Sequence, residues 1–316
     1  MRSTFRKFLL LVFFLGWTET SFAGPPFLNI EGEGGGGINP FAYLINPPAE
    51  GEIFGRPSIS AWEWIGNGYN FSFQSTAINI GNRAEIGFGA YDLDISDLRD
   101  DLYAATDSAV DLRKDHVRVF HVHGKLLLLK EAEVLPAFSV GAGYKWNTEI
   151  EDLDLNTERD AGVRAFTAIG YDRDDSAEFT AVATKTIPWA LPTIISAGAR
   201  ISRGHQMGLL GFDDTWHAGL ETTIAVLPAD KVALGFEYKQ KPDGMKSLGP
   251  ALNSILGARA TSRANDFTFK EDDFIDWFFL YMPTSKLSFI AAWATIGNVV
   301  HTEVDMIWAF NVKYDF

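Results

Sequence analysis

The stretch Val304-Asp305-Met306-Ile307-Trp308-Ala309-Phe310-Asn311-Val312-Lys313-Tyr314-Asp315-Phe316 decides the fold. Val304, Met306, Trp308, Phe310, Val312, Tyr314 and Phe316 occupy every second position, with Asp305, Ile307, Ala309, Asn311, Lys313 and Asp315 between them. In an extended chain successive side chains point to opposite faces, so this spacing makes a strand with one wholly apolar face. A strand that crosses a bilayer at a tilt needs about 9–11 residues. A strand of a soluble sandwich alternates too, but seldom for so long and seldom ending on Phe.

The same period recurs upstream. Trp216, Leu220, Ile224 and Val226 alternate with small or ionisable residues, as do Leu234, Phe236 and Tyr238, then Val140, Tyr144 and Trp146, and Ile86 and Phe88. The pattern predicts strands at 58–65, 69–80, 83–95, 115–129, 136–148, 176–187, 192–204, 216–227, 231–241, 273–282, 286–297 and 303–316. In 115–129 the apolar phase slips between Val119 and Phe120, which a β-bulge explains. Connections after even-numbered strands are short (81–82, 130–135, 188–191, 228–230, 283–285), and those after odd-numbered strands are mostly long (96–114, 149–175, 205–215, 242–272, 298–302). The tight Gly66-Asn67-Gly68 hairpin is the exception. Short turns on one side and long loops on the other characterise bacterial membrane barrels. The expected fold is all-β, a transmembrane antiparallel β-barrel of about twelve strands over residues 58–316, with both termini in the periplasm.

The remaining segments fit an exported chain. Arg2, Arg6 and Lys7 precede an apolar run, and Ser21-Phe22-Ala23 closes it, so 1–23 reads as a signal peptide cleaved after Ala23. The formal net charge is −14, which argues against nucleic-acid binding, and the absence of cysteine removes thiolate chemistry and disulfides. Residues 24–57 are rich in Gly and Pro. Gly34, Gly35, Gly36 and Gly37 lack a following Gly-Lys-Ser/Thr, so no phosphate loop is formed. The segment is either a flexible periplasmic leader or a plug folded into the lumen, since Phe41, Tyr43, Leu44 and Ile45 are apolar for a free linker.

Several phrases resemble a Gram-negative outer-membrane β-barrel family of unknown function, domain-of-unknown-function family 3034. They are Glu31-Gly32-Glu33-Gly34-Gly35-Gly36-Gly37-Ile38-Asn39-Pro40, Val140-Gly141-Ala142-Gly143-Tyr144-Lys145, Ala183-Thr184-Lys185, Gln206-Met207-Gly208-Leu209-Leu210-Gly211-Phe212, Gly235-Phe236-Glu237-Tyr238-Lys239-Gln240-Lys241-Pro242-Asp243 and Glu271-Asp272-Asp273. The chain departs in 244–270, a Ser/Ala/Gly-rich insertion without a strand pattern. The resemblance implies an outer-membrane location and carries over no catalytic residue. The ending Phe310, Val312, Tyr314, Phe316 resembles the signal read by the barrel assembly machinery, an expected partner beside outer-membrane lipid and lipopolysaccharide.

The polar face is expected to line the lumen, through Glu85, Lys145, Lys185, Arg200, His217, Glu221, Glu237, Lys239, Asp276, Asp305 and Lys313. Signs are mixed along it, whereas a strongly selective pore shows rings of one sign. His121 and His123 share one face and either line the lumen or chelate a metal. Asp152, Asp154, Asn156 and Glu158 lack the Gly and Glu of a calcium loop. No G-x-S-x-G elbow occurs and no Ser lies at a spacing that demands pairing with a His. The expected function is a channel or porin for small solutes, without cofactor. The alternatives are a non-conducting structural or assembly barrel and, more weakly, a lipid-acting barrel enzyme.

Overall fold

The computed structural model describes residues 27–66, 70–94, 96–105, 115–149, 161–256, 271–299, 302–304 and 306–316. Twelve strands, labelled here in chain order, form the wall: β1 Ser58–Gly66, β2 Asn70–Ile80, β3 Ala84–Asp94, β4 His116–Leu129, β5 Ala137–Asn147, β6 Asp175–Ile187, β7 Thr193–Gly204, β8 Phe212–Ala229, β9 Val232–Lys239, β10 Phe274–Tyr281, β11 Leu287–Thr295 and β12 Ile307–Asp315. Each pairs antiparallel with its sequence neighbours, and β12 pairs with β1 from Ser58↔Asp315 to Gly66↔Ile307, so the sheet closes. Closure leaves no wall strand with a free edge, the condition for a sheet to cross a bilayer. No helix among the described residues is long and apolar enough to span a membrane.

Period-two burial runs around the ring. In β12, Ile307, Ala309, Asn311 and Lys313 point into the lumen, while Trp308, Phe310, Val312 and Tyr314 point out. The outer face carries exposed Ile86, Leu126, Phe179, Leu220, Trp277 and Trp308. Lipid is the solvent that makes such a face stable.

Among the described residues the long connections carry three α-helices, α1 Ser96–Ala105, α2 Ala161–Ala168 and α3 Leu248–Leu256. α2 and α3 pack on each other, and Ala165, Leu248, Leu252 and Leu256 are buried in the apolar cluster of that barrel end. Part of the expected insertion 244–270 is therefore a buried helix, and 257–270 lie outside the described residues. Thr302–Val304 pairs with Gly297–Val299 in a separate hairpin, so the last wall strand starts later than its apolar pattern suggests.

The expected bulge at Val119 and Phe120 is absent. The β3–β4 register runs unbroken from Asp94↔His116 to Ala84↔Leu126, and the irregularity lies at Leu127/Leu129 against β5. The phase slip has another cause. Val117 and Val119 face inward and are buried, whereas Val122 and Leu126 face lipid. The lumen is apolar toward the long-loop end and polar in its middle, so apolar residues change face along a regular strand.

Residues 27–45 lie inside the ring, nearly all of them buried. The chain leaves through the short-turn end, where Gly55 N–H donates to the Asn79 carbonyl at 2.8 Å, and then enters β1.

Candidate functional site

The site is the lumen and the segment within it. At the short-turn end, the Tyr43 hydroxyl donates to Glu131, which also accepts the Thr186 N–H at 2.9 Å and lies 3.1 Å from Lys185 Nζ. Burial raises the Glu131 carboxyl. The hydrogen bonds from Tyr43, Thr186 and Lys185 outweigh it and hold the group below the usual carboxylate range. A depressed folded value contributes stability above the unfolded pKa that is lost as pH falls through the folded one. Tyr43→Phe is expected to reduce the protection of amides 41–45 by about 1.5–3 kcal/mol at neutral pH, the size of a hydrogen bond to a charged group. That difference should shrink on acidification. Hydrogen exchange checks it, and equal protection at neutral pH contradicts it.

Deeper in, Glu85 is fully buried. It accepts the N–H of Gly34 at 2.9 Å and of Ile45 at 2.6 Å, and lies 3.1 Å from Lys125 Nζ. Lys125 in turn donates to the carbonyls of Gly34 at 2.9 Å and Phe41 at 3.3 Å. Across the lumen Glu237 accepts the Ile38 N–H and the Thr223 hydroxyl, each at 2.7 Å. Asn39 Nδ2 donates to the carbonyls of Thr222 and Tyr238, and Ala42 N–H donates to Thr184. These bonds explain the glycine tract. A Cβ on Gly36 falls 1.9 Å from Glu237 Oε1, and one on Gly37 falls 3.0 Å from Asp276 Oδ2. The backbone runs directly against wall carboxylates.

Next comes a charge cluster. Glu31 lies 2.5 Å from Lys145, 2.7 Å from Arg200 and 3.3 Å from Lys239. Glu178 and Glu221 complete it, at 2.8 Å and 2.7 Å from Arg200. Every member is nearly buried, and charges taken out of water in this way persist only when paired. A cavity of about 50 Å³ lies beside it, lined among others by Ser202, His217 and Phe274.

Rings fill the long-loop end of the wall. Trp64 packs edge-on to Phe73 at 5.4 Å, Phe73 to Tyr91 at 5.3 Å, and Tyr91 lies 5.0 Å from His121, which stacks on His123 at 5.8 Å. His121 Nε2–H donates to the Glu31 carbonyl, and His123 lies 3.7 Å from Glu85. Both histidines are thus engaged with the segment or its anchor. No group of three or more metal-binding side chains occurs among the described residues.

Of the expected lumen residues, Glu85, Lys145, Arg200, Glu221, Glu237, Lys239, Asp276 and Lys313 are buried on the inner face. His217 also faces inward, half-buried, 2.7 Å from Asp213. Asp305 lies outside the described residues, as does the acidic stretch 152–158. Lys185 is a correction: Glu178, Thr180, Val182 and Thr184 set the inner face of β6, and Lys185 is on the outer one. It sits at the rim, where a long side chain can leave the apolar band and reach Glu131.

Sequence reasoning missed Glu31, Lys125 and Glu178. Lys125 and Glu178 hold inner-face positions that strict alternation from His123 and from Thr180 would have found. Ser202 is the register partner of His217, but its hydroxyl accepts the Gly204 N–H at 3.0 Å.

A family model described as "Protein of unknown function (DUF3034)" matches residues 25–313. Among solved structures, the chain is similar to the NanC porin, with TM-score 0.46, 5% identity, and coverage of 82% of this chain and 100% of that one. It is similar to the KdgM porin in complex with disordered oligogalacturonate, with TM-score 0.42, 7% identity and coverage of 82% and 99%. The outer-membrane protein Omp33 of Acinetobacter baumannii gives TM-score 0.42, 8% identity and coverage of 84% and 99%. No curated protein matches.

Proposed function

Taking as premise a chain that belongs to the DUF3034 family, we propose an outer-membrane channel for small solutes that its own segment 27–46 holds shut. The observation that carries the reading is that the wall is complete without the segment. All twelve strands pair with one another, and among the described residues only the isolated bridge Phe54↔Ile80, at the rim, joins the preceding chain to the ladder. The segment is fastened by side chains instead: Glu85, Lys125, Thr184 and Glu237. A closed barrel with a separable insert has the form of a gated pore.

The apolar exterior supports a membrane location. Short turns at the end where the strand set begins and finishes support a periplasmic placement of that end. The outward row Phe310, Val312, Tyr314 and Phe316 is what the assembly machinery would read, with Phe316 N–H donating to the Pro57 carbonyl at the seam.

Planar-bilayer recording tests the function. The form lacking 27–46 is expected to conduct several-fold more than the intact protein while still migrating as a folded barrel on unheated gels. No current from either form discards the channel, and equal current from both discards the closure. A non-conducting structural barrel is the second reading. The buried apolar cluster under α2 and α3 favours it, and it predicts no current from either form.

A further inference from the structure

The geometry points to a binding site for small ring-bearing monocarboxylates in the lumen, occupied at rest by the segment's own Glu31. On the wall, Lys145, Arg200 and Lys239 face only two carboxylates of the cluster, Glu178 and Glu221. Glu31 supplies the third. Glu33, also buried, belongs to the same segment and leaves with it. Counted by themselves, these five wall groups carry one positive charge more than negative once the segment has left, while the wall carboxylates Glu237 and Asp276 lie farther along the inner face of β9 and β10. A buried charge of that kind recruits a counter-ion rather than remaining alone, and the guanidinium of Arg200 suits a carboxylate.

The second half of the ligand follows from the neighbouring wall. The row Trp64, Phe73, Tyr91 reaches the cations at Tyr91, whose ring centroid lies 5.9 Å from Lys145 Nζ. In the closed state Phe27, Ile30 and Ile38 join the same apolar cluster as these rings. The segment therefore presents a carboxylate flanked by apolar groups, to a wall that offers cations beside aromatic faces. The cavity next to Glu31, with Met207 and Phe274 in its lining, has about 50 Å³, room for water but not for an aromatic ring, so a ligand enters only as the segment moves. A carboxylate held in place by the rest of its segment competes intramolecularly, at a high effective concentration. Free ligand must exceed that to displace Glu31, so the cargo itself loosens the closure.

The proposal rests on the reading of 27–46 as a removable closure. The full mature chain carrying Glu31→Gln, purified in detergent, is titrated with benzoate, acetate and benzylamine. Benzoate is expected to bind at least about tenfold more tightly than to the unaltered protein, and more tightly than acetate, with no gain for benzylamine. Adding Arg200→Gln to Glu31→Gln should remove the gain. Benzylamine binding as well as benzoate, or no gain in a variant that still migrates as a folded barrel, overturns the site. If Glu31→Gln does not fold, the unaltered chain decides: benzoate, and not benzylamine, should speed hydrogen exchange of amides 32–38, and no change overturns the proposal. A gain in binding without current in the form lacking 27–46 keeps the site and removes the channel. Current in that form without the gain does the reverse.

Discussion

Glu85→Ala is expected to free the inserted segment, at a cost of about 3–5 kcal/mol, the range for breaking one partner out of a buried ion pair. The substitution strands Lys125 in the lumen and removes the acceptor of two segment N–H groups, Gly34 and Ile45. The wall ladder does not involve the Glu85 side chain, so the loss should appear as segment release rather than barrel unfolding. Limited proteolysis with current recording reads it: cleavage within 27–46 and a rise in conductance, with heat-modifiable migration kept. Glu85→Gln keeps an acceptor and should fall between. Full protection of 27–46 in Glu85→Ala would show that the apolar contacts of Phe27, Ile38 and Phe41 hold the segment alone.

Trp308→Arg and Phe236→Arg are each expected to cost about 2–4 kcal/mol where they lie near the midplane, since both face lipid. Phe236→Arg also breaks an aromatic contact, and Trp308→Arg removes an indole from a cross-strand tryptophan pair in the register. Trp308 is opposite Trp293 in the β11–β12 register, and the Phe236 and Trp277 rings are 4.7 Å apart. Reading the lumen as an open polar face makes changes at Asn311 or Lys239 mild, and the structure corrects this. Asn311 Nδ2 donates to Ser60 Oγ at 2.6 Å and to the Ala61 carbonyl at 3.0 Å, and Lys239 is locked to Glu31 and Glu221. Asn311→Arg should therefore cost about 1–3 kcal/mol by overpacking. The two faces separate by readout, through lower membrane insertion for the lipid-face pair and a loosened segment for the lumen variants. Reduced insertion of Asn311→Arg equal to that of Trp308→Arg would contradict the assignment of faces.

The wall was legible because a bilayer imposes one rule on every strand, and residues such as Trp308, Phe310 and Val312 obey it without local exceptions. The lumen obeys no single rule. Val117 and Val119 point inward because the long-loop end is packed with apolar side chains, so the β4 pattern looked broken where the strand is regular. Lys185 looked inward because charge was equated with lumen, yet at a rim a lysine can satisfy itself outside. Glu31 was hidden for a different reason. Its meaning depends on Lys145, Arg200 and Lys239, which come from three other places in the chain, and nothing in a glycine tract says where the tract will lie.

The seam between β1 and β12 sets an order of events. Its pairs join Ser58 to Asp315 and Gly66 to Ile307, so the ring is shut only when the first and last wall strands meet. In the closed ring Glu85 and Glu237 point at the axis, and their carboxylates accept backbone N–H groups from residues that precede the first wall strand. If residues 27–46 are in place before the seam shuts, they are a mandrel on which the wall is wound. A chain deprived of it must carry Glu237 through closure without the Ile38 N–H that meets it, so yield of assembled barrel, as well as current, becomes a measure of what residues 27–46 contribute.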